Sequence, residues 1–139
     1  MTKKFEFTYR DKVRYGDCDM HQHVNHAKFF TFFEQARVEY CASLGLKPSS
    51  DFKSIPFILA SASCDYLLPA LLNDEIIVEM GTTKIGTKSL TMEYEMKNGK
   101  GELLAKASTV LVMFDYETMR SIPVPKTLKQ KIAELKKGR

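Results

Sequence analysis

The segment from Ala27 to Leu44 constrains the fold of this chain more than any other, because its apolar residues recur at helical spacing. The residues that share one face of the predicted helix are Phe29, Phe33, Ala36, Tyr40 and Leu44, with Phe30 and Phe32 beside them. An apolar face of this width has to be covered by other parts of the protein. We therefore predict a helix that is enclosed within the fold, with Gly45 as its C-terminal stop.

The rest of the chain contains five segments whose composition or alternation of apolar and polar residues predicts β-strands. These segments are residues 5–15, 55–68, 75–83, 89–96 and 103–116. Asn98-Gly99 predicts a hairpin between the last two strands, and a small helix is predicted from Pro125 onwards. This order predicts an α+β fold, in which an antiparallel five-stranded sheet wraps around one long central helix.

The length of 139 residues suits a single domain, which we place at 1–139. Hydrophobic residues make up 44% of the chain, which is enough for a substantial core. No run of them approaches the roughly 18–20 residues of a membrane span. The N-terminal stretch has no apolar segment of signal-peptide length, so we expect a cytoplasmic protein.

The three cysteines, Cys18, Cys41 and Cys64, are widely spaced and form no C-x-x-C pair. This spacing argues against a disulfide framework and against a zinc ribbon, so reduced thiols are expected. The net charge of +4 suits an anionic ligand. The lysines of the C-terminal tail lack interleaved aromatic residues, and no nucleic-acid partner is expected.

Reactive side chains are concentrated immediately before the predicted helix, in the stretch GDCDMHQHVNHAKFF. His21, His23 and His26, with Asp17 and Asp19 nearby, are acceptable ligands for zinc or iron. Their spacing matches metal sites poorly, since His21 and His23 would point to the same side only in an extended chain. A metal-dependent hydrolase is one hypothesis for this cluster.

A second hypothesis takes Cys18 as a nucleophile. Its thiolate would stand between Asp17 and Asp19, and like charge should raise the pKa of the thiol rather than lower it. The local chemistry therefore disfavours a catalytic cysteine.

The third hypothesis uses the helix itself. If the helix begins near Asn25-His26-Ala27, its first N–H groups carry a partial positive charge and can hold a developing oxyanion. Asp19, a few residues upstream, is placed to attack the polarised carbonyl or to deprotonate water. Asn25 can cap the helix or hold the loop. A structural interpretation, with Asp17 and Asp19 as solvated turn residues and Asn25 as a plain N-cap, is equally compatible with the local sequence.

Residues 14–45, RYGDCDMHQHVNHAKFFTFFEQARVEYCASLG, resemble the signature of hotdog-fold acyl-CoA thioesterases of the 4-hydroxybenzoyl-CoA thioesterase family. That signature reads R-[YF]-x-D-x-D-x-x-G-H-V-N-N and continues into an aromatic-rich helix that ends in E-x-A-R-x-[ED]-[YF]. The resemblance extends over essentially the whole chain, because the later order of strands matches as well. It implies a hotdog fold and hydrolysis of an acyl-CoA thioester to a carboxylic acid and coenzyme A, with no cofactor.

The resemblance also implies roles for individual residues. Asp19 matches the catalytic aspartate, which acts as nucleophile or general base. His23, Val24 and Asn25 match the H-V-N segment of the motif, which implies catalytic roles for His23 and Asn25 and substrate binding for Val24. His26, which begins the helix, would present its backbone N–H to the thioester carbonyl.

Gln22 departs from the motif, which has glycine at that position. Glycine permits backbone conformations and a close ligand approach that glutamine resists. The departure therefore predicts a changed loop path or a narrower pocket.

Members of the family pair their sheets across a dimer, so the resemblance implies a homodimer or homotetramer with the active site at the subunit interface. It also implies that Lys84, Lys88 and Ser89 lie where the nucleotide end of the acyl-CoA substrate is bound. A non-catalytic acyl- or CoA-binding protein is the alternative from the same fold, alongside the metal-dependent hydrolase.

Overall fold

The computed structural model describes residues 4–46 and 56–138. Its elements, in chain order, are β1 (Phe7–Lys12), a 3-10 turn (Tyr15–Asp17), α1 (His26–Ser43), β2 (Phe57–Tyr66), β3 (Glu75–Ile85), β4 (Ser89–Asn98), β5 (Leu103–Asp115), β6 (Arg120–Ser121) and α2 (Lys126–Lys137). All five predicted strands and both predicted helices are present. Residue 55, the predicted first residue of the second strand, lies outside the described residues.

The sheet is antiparallel and has the strand order β1-β3-β4-β5-β2, with β6 added beside β5. The five long strands confirm the predicted sheet, while the two-residue β6 was not predicted. Because β2 pairs only with β5 on this path, it forms one edge of the sheet. Its residues are mostly exposed, in contrast to the alternating burial of β4 and β5.

The core lies between α1 and the concave face of the sheet. The helix contributes Phe33, Ala36 and Tyr40, each at most 1% exposed. The ring of Phe33 lies 5.2 Å from that of Tyr94 on β4, and the ring of Tyr40 lies 5.6 Å from that of Phe7 on β1. The apolar face of the long helix is therefore covered by the sheet, which is the hotdog arrangement that the sequence resemblance implied. The opposite face, with Thr31, Glu34, Gln35 and Glu39, is exposed, so the helix is not enclosed on all sides as predicted.

The end of β1 differs from the sequence prediction, whereas the stop of α1 agrees with it. β1 ends at Lys12, and Tyr15 belongs to a 3-10 turn in which its side chain is 84% exposed. The turn forms because the Asp17 carboxylate accepts the backbone N–H of Arg14 at 2.9 Å. At the end of α1, Gly45 has a φ of +87°, which confirms it as the stop signal.

The C-terminal helix α2 buries Leu128 and Ile132 and leaves its lysines outside, as its helical spacing predicted. Across residues 4–46 and 56–138, no helix is both long enough and apolar enough to cross a bilayer.

Candidate active site

A tight loop connects the 3-10 turn to α1 and carries the predicted site residues. The backbone N–H of Gln22 donates to the carbonyl of Asp19 at 2.9 Å, and the N–H of Asp19 donates to the carbonyl of His23 at 2.9 Å. Cys18 and Val24 form an antiparallel bridge behind this turn. The loop is thus a small hairpin that holds Asp19 next to the start of the helix.

The carboxylate of Asp19 is oriented by the same hairpin. Its Oδ1 accepts the backbone N–H of His21 at 2.9 Å. One oxygen of the carboxylate is therefore tied to the turn, and this bond fixes the direction in which the other oxygen points.

Gln22 has a φ of +63°, in the left-handed region that glycine reaches without strain. For a residue with a Cβ this conformation costs about 1–2 kcal/mol. The hydrogen bonds on either side of Gln22 hold it there, so the loop adopts a glycine-type conformation although the glycine is missing.

The same loop is fastened to the segment that follows β2. The backbone N–H of Val24 donates to the carbonyl of Ala70 at 2.8 Å, and His23 bridges to Leu71. Val24 is buried, whereas the side chains of Asp19 and His23 are exposed. These contacts fix the backbone of the loop and leave its polar side chains facing outwards.

At the N-terminus of α1, one backbone N–H group is capped by a side chain and another has no hydrogen-bond acceptor in the part of the chain that the structure describes. Asn25 is the N-cap, and its Oδ1 accepts the N–H of Ala27 at 2.9 Å, as predicted. His26 is the first helical residue, and among the described residues its backbone N–H has no acceptor. An N–H group in this position carries the partial positive charge of the helix end and can bind an anion.

Asp19 and His26 line one cleft of about 340 Å³, which we call the helix cleft. The other residues around it are His23, Val24, Phe29, Tyr66, Leu67, Leu68 and Pro69. The structure therefore brings a carboxylate and an open helix N–H to the same space. A carbonyl bound there would meet an electrophilic contact at its oxygen and a carboxylate at its carbon.

Tyr66 is a residue of this cleft that the sequence analysis missed. Its hydroxyl donates to the carbonyl of His26 at 3.0 Å, and its ring lies edge-on to that of Phe29 at 5.1 Å. No local pattern marks it, because its position depends on the end of β2 meeting the start of α1.

A second cleft, of about 380 Å³, opens on another side of Asp19. Its other lining residues are Tyr15, Cys18, Met20, Gln22 and Leu72, and we call it the loop cleft. Met20 is 91% exposed and Tyr15 is 84% exposed. Asp19 is therefore shared between two neighbouring spaces.

The structure does not support the two rival interpretations of the loop. Burial and the carboxylates of Asp17 and Asp19 raise the pKa of the Cys18 thiol, which disfavours a nucleophilic thiolate. Within the described part of the chain, no group of three or more His, Cys, Asp and Glu side chains could hold a metal ion, so His21, His23 and His26 are not assembled as ligands.

Lys84, Lys88 and Ser89 lie far from the helix cleft of the same chain. Ser89 pairs with Val112 on β5, whereas Tyr66 pairs with Ala105 on that strand. Those two positions on β5 are separated by roughly 23 Å at the usual rise of a strand. Lys84, Lys88 and Ser89 therefore do not meet the predicted catalytic residues within one chain, whereas Val24, the other predicted substrate-binding residue, lines the helix cleft.

Residues 13–132 match the family model of the thioesterase-like superfamily. The chain is 29% identical over 133 residues to the acyl-CoA thioesterase YbgC of Haemophilus influenzae, covering 94% of this chain and 96% of that protein. It is 28% identical over 137 residues to the long-chain acyl-CoA thioesterase FadM of Escherichia coli, covering 91% of this chain and 96% of that protein. A solved thioesterase from Thermus thermophilus, complexed with coenzyme A and Zn, is similar at a TM-score of 0.85 and 34% identity, covering 99% of this chain and 98% of that chain.

Proposed function

The chain belongs to the thioesterase-like superfamily, and we propose that it hydrolyses acyl-CoA thioesters in the helix cleft. The observation that carries this proposal is the pairing of the Asp19 carboxylate with the open N–H of His26 around one space. The acyl-CoA substrates in the names of two relatives support the same substrate class.

The thioester carbonyl oxygen accepts the N–H of His26, where the helix dipole stabilises the oxyanion of the tetrahedral intermediate. Asp19 acts in one of two ways. As a nucleophile, its carboxylate forms a bond to the acyl carbon, the carbon–sulfur bond breaks, and water then hydrolyses the mixed anhydride. As a general base, it takes a proton from the water that attacks the same carbon. In either route the CoA thiolate leaves and is protonated.

Neighbouring residues hold this arrangement in place. The carbonyl of His23 accepts the N–H of Asp19, and the side chain of Asn25 caps the helix without using the N–H of His26. Val24 anchors the loop to the segment after β2. Tyr66 orients the carbonyl of His26 through its hydroxyl.

The complete site requires a second copy of the chain. β2 is an exposed edge strand, with Ile58 39% and Leu59 51% exposed, and such an edge is suited to pairing with another strand. Antiparallel pairing of two β2 strands about Ala62 places Ile58 of one subunit opposite Tyr66 of the other. Assembly as a homodimer, or as a tetramer of such dimers, follows from this pairing.

The same pairing accounts for the distant basic residues. Ser89, Val112 and Ile58 stand in one row across β4, β5 and β2. Pairing about Ala62 therefore moves Lys88 of the partner subunit towards the helix cleft of the first subunit, with Lys84 nearby at the end of β3. These lysines bind the phosphates of coenzyme A as point charges.

Thiol release from a panel of aliphatic and aromatic acyl-CoAs tests the activity, with Asp19→Asn as the variant. We expect Asp19→Asn to fold normally, as checked by circular dichroism and melting, and to lose at least about a hundredfold in turnover. Near-normal turnover in Asp19→Asn would refute the role of Asp19. CoA binding without thiol release from any substrate would instead identify a non-catalytic binder.

A single turnover in isotope-labelled water distinguishes the two routes. Label in the Asp19 carboxylate is expected for the anhydride route when water attacks the aspartyl carbonyl. Label in the released acid of the first turnover, with none in Asp19, excludes water attack at the aspartyl carbonyl and is the pattern of general-base catalysis or of attack at the acyl carbonyl of the anhydride.

A further inference from the structure

The loop cleft and the helix cleft share Asp19 but differ in what surrounds them. The helix cleft extends along Tyr66, Leu67 and Leu68, towards the edge of the sheet. The loop cleft lies beside Tyr15 and Met20, two large side chains that are 84% and 91% exposed. Exposed apolar side chains around a reactive group indicate a binding surface.

We propose that the loop cleft binds the acyl group of the substrate and that Tyr15 and Met20 determine which acyl groups are accepted. This inference rests on the proposed function. It assigns an apolar acyl moiety, aliphatic or aromatic, to the space lined by Tyr15, Met20 and Leu72.

The direction of the coenzyme A moiety supports this assignment. Coenzyme A is long and anionic, so it extends towards basic residues. Under β2 pairing these are Lys84 and Lys88 of the partner subunit, on the side of Tyr66. The two substituents of a carbonyl carbon point away from each other, so the acyl group leaves the reacting carbon on the other side of Asp19. The loop cleft shares Asp19 with the helix cleft and none of its other residues, so it is the neighbouring space that can receive the acyl group.

The size and chemistry of the loop cleft fit an acyl group. Its volume of about 380 Å³ lies within the roughly 300–1,000 Å³ of small-molecule sites. Tyr15, Met20 and Leu72 supply apolar contact area, and a thioether side chain adapts to ligands of different shape. Gln22 also lines the cleft, on a backbone held in position by the left-handed turn.

The test compares kcat/KM for hexanoyl-CoA and acetyl-CoA in the wild-type protein, Met20→Ala and Tyr15→Ala. Removing either side chain removes contacts that only the longer acyl group makes. We expect the hexanoyl-to-acetyl ratio to fall by roughly tenfold in each variant, since lost hydrocarbon contact in a pocket has this order of effect. Inhibition by free coenzyme A should stay unchanged, because the coenzyme A moiety lies elsewhere.

Met119→Ala is the matched control. Met119 is also exposed, at 67%, but it lies in the turn between β5 and β6 and lines neither cleft. Its variant should keep the wild-type ratio, and a fall there as large as in Met20→Ala would remove the support for the loop cleft.

Several results would overturn the inference while leaving the proposed function intact. An unchanged ratio in Met20→Ala and Tyr15→Ala, with a lowered ratio in Leu59→Ala, would place the acyl group in the pocket of about 260 Å³ between α1 and β2. Equal losses of kcat/KM for hexanoyl-CoA and acetyl-CoA would show that Tyr15 and Met20 have only a structural role.

A lower oligomer mass of the variants, with an unchanged hexanoyl-to-acetyl ratio, would show that Tyr15 and Met20 belong to the subunit contact. Absence of thiol release in the wild-type protein would refute the proposed function together with this inference.

Discussion

The backbone N–H of Asn25 donates to the carbonyl of Asp17 at 3.1 Å, which closes the loop immediately before α1 begins. The side chain of Asp17 holds the other end, where its Oδ2 accepts the N–H of Arg14 at 2.9 Å. Asp19 also accepts one backbone N–H, that of His21, but its carboxylate lines both clefts. The two neighbouring carboxylates therefore have different surroundings, and only that of Asp19 faces the space shared with the N–H of His26.

This difference predicts opposite responses to the same conservative change. An amide oxygen can accept the backbone N–H that each carboxylate holds, so both variants should fold, and Asp17→Asn should keep most of the wild-type turnover. Asp19→Asn should lose at least about a hundredfold, since an amide can serve neither as nucleophile nor as base. Thiol release at saturating substrate measures both. Equal inactivation of the two variants would make Asp17 a catalytic residue as well.

The conformation of Gln22 predicts a gain in stability on substitution. Gln22→Gly relieves a left-handed backbone at a φ of +63°, and we expect the free energy of unfolding to rise by about 1 kcal/mol. Asn73, at a φ of +70°, provides a graded control, because asparagine tolerates this region and Asn73→Gly should gain less. Urea unfolding of the two variants checks the order. A larger gain at Asn73 would contradict the strain assigned to Gln22.

A buried carboxylate makes a glycine necessary in β3. Glu6 is only 5% exposed and accepts the hydroxyl of Tyr40 at 2.7 Å and the N–H of Thr82 at 3.0 Å. A Cβ on Gly81 would overlap the carboxyl group of Glu6. Gly81→Ala should therefore lower the free energy of unfolding by about 2 kcal/mol, through overpacking and disturbed hydrogen bonds.

Gly16→Ala is the control for that substitution, because a Cβ on Gly16 meets nothing within 4 Å. Its effect on the free energy of unfolding should stay within about 0.5 kcal/mol. Chemical denaturation of both variants measures the difference. Similar losses of unfolding free energy at the two glycines would show that the side chain of Glu6 can move aside without destabilising the protein.

The carboxyl group of Asp11 predicts a pH-dependent contribution to stability. Burial alone would raise its pKa, but hydrogen bonds from Tyr9, the backbone of Lys12 and the Arg14 guanidinium lower that pKa below its ordinary value. A carboxyl pKa that is lower in the folded state stabilises the protein above the ordinary pKa, and this stabilisation is lost as the pH falls through the folded value. Tyr9→Phe should therefore be less stable than the wild type at neutral pH, with the difference shrinking below about pH 4.

Thermal unfolding of Tyr9→Phe and wild type between neutral pH and pH 3 measures this. Tyr116→Phe serves as the control. The Tyr116 hydroxyl donates a hydrogen bond to the backbone carbonyl of Phe57, and a carbonyl acceptor does not titrate as a carboxylate does. A difference for Tyr9→Phe that stays constant with pH would contradict the link to Asp11.

Local features of the site were predictable from the sequence because they depend on neighbouring residues. The apolar spacing after His26 locates α1 to within one residue at each end, and Asn25 caps it as its residue type predicts. Asp19 was expected next to this helix end because it lies only a few residues upstream in the sequence. Strand positions also follow from patterns a few residues long.

Features that depend on distant pairing were not predictable in this way. The order β1-β3-β4-β5-β2 places β2 at an edge, and only that order brings Tyr66 to His26. Arg37 likewise donates to the hydroxyl of Tyr94 at 3.3 Å, a contact between α1 and β4 that no local spacing predicts.

The separation of Lys88 from Asp19 within one chain leads to the last prediction, on subunit mixing. If each site takes Asp19 from one subunit and Lys88 from the other, a heterodimer of Asp19→Asn and Lys88→Glu contains one intact site and one doubly altered site.

Each variant alone should have low activity at low substrate concentration. Unfolding and refolding them together in equal amounts should restore about a quarter of the wild-type activity, since half of the dimers are mixed and each has one intact site. Size-exclusion chromatography verifies that dimers re-form. Lys137→Glu, a charge reversal at an exposed position of α2 that lines neither cleft, serves in place of Lys88→Glu as the control for the charge change. No recovery in re-formed mixed dimers would show that Lys88 and Asp19 do not share a site.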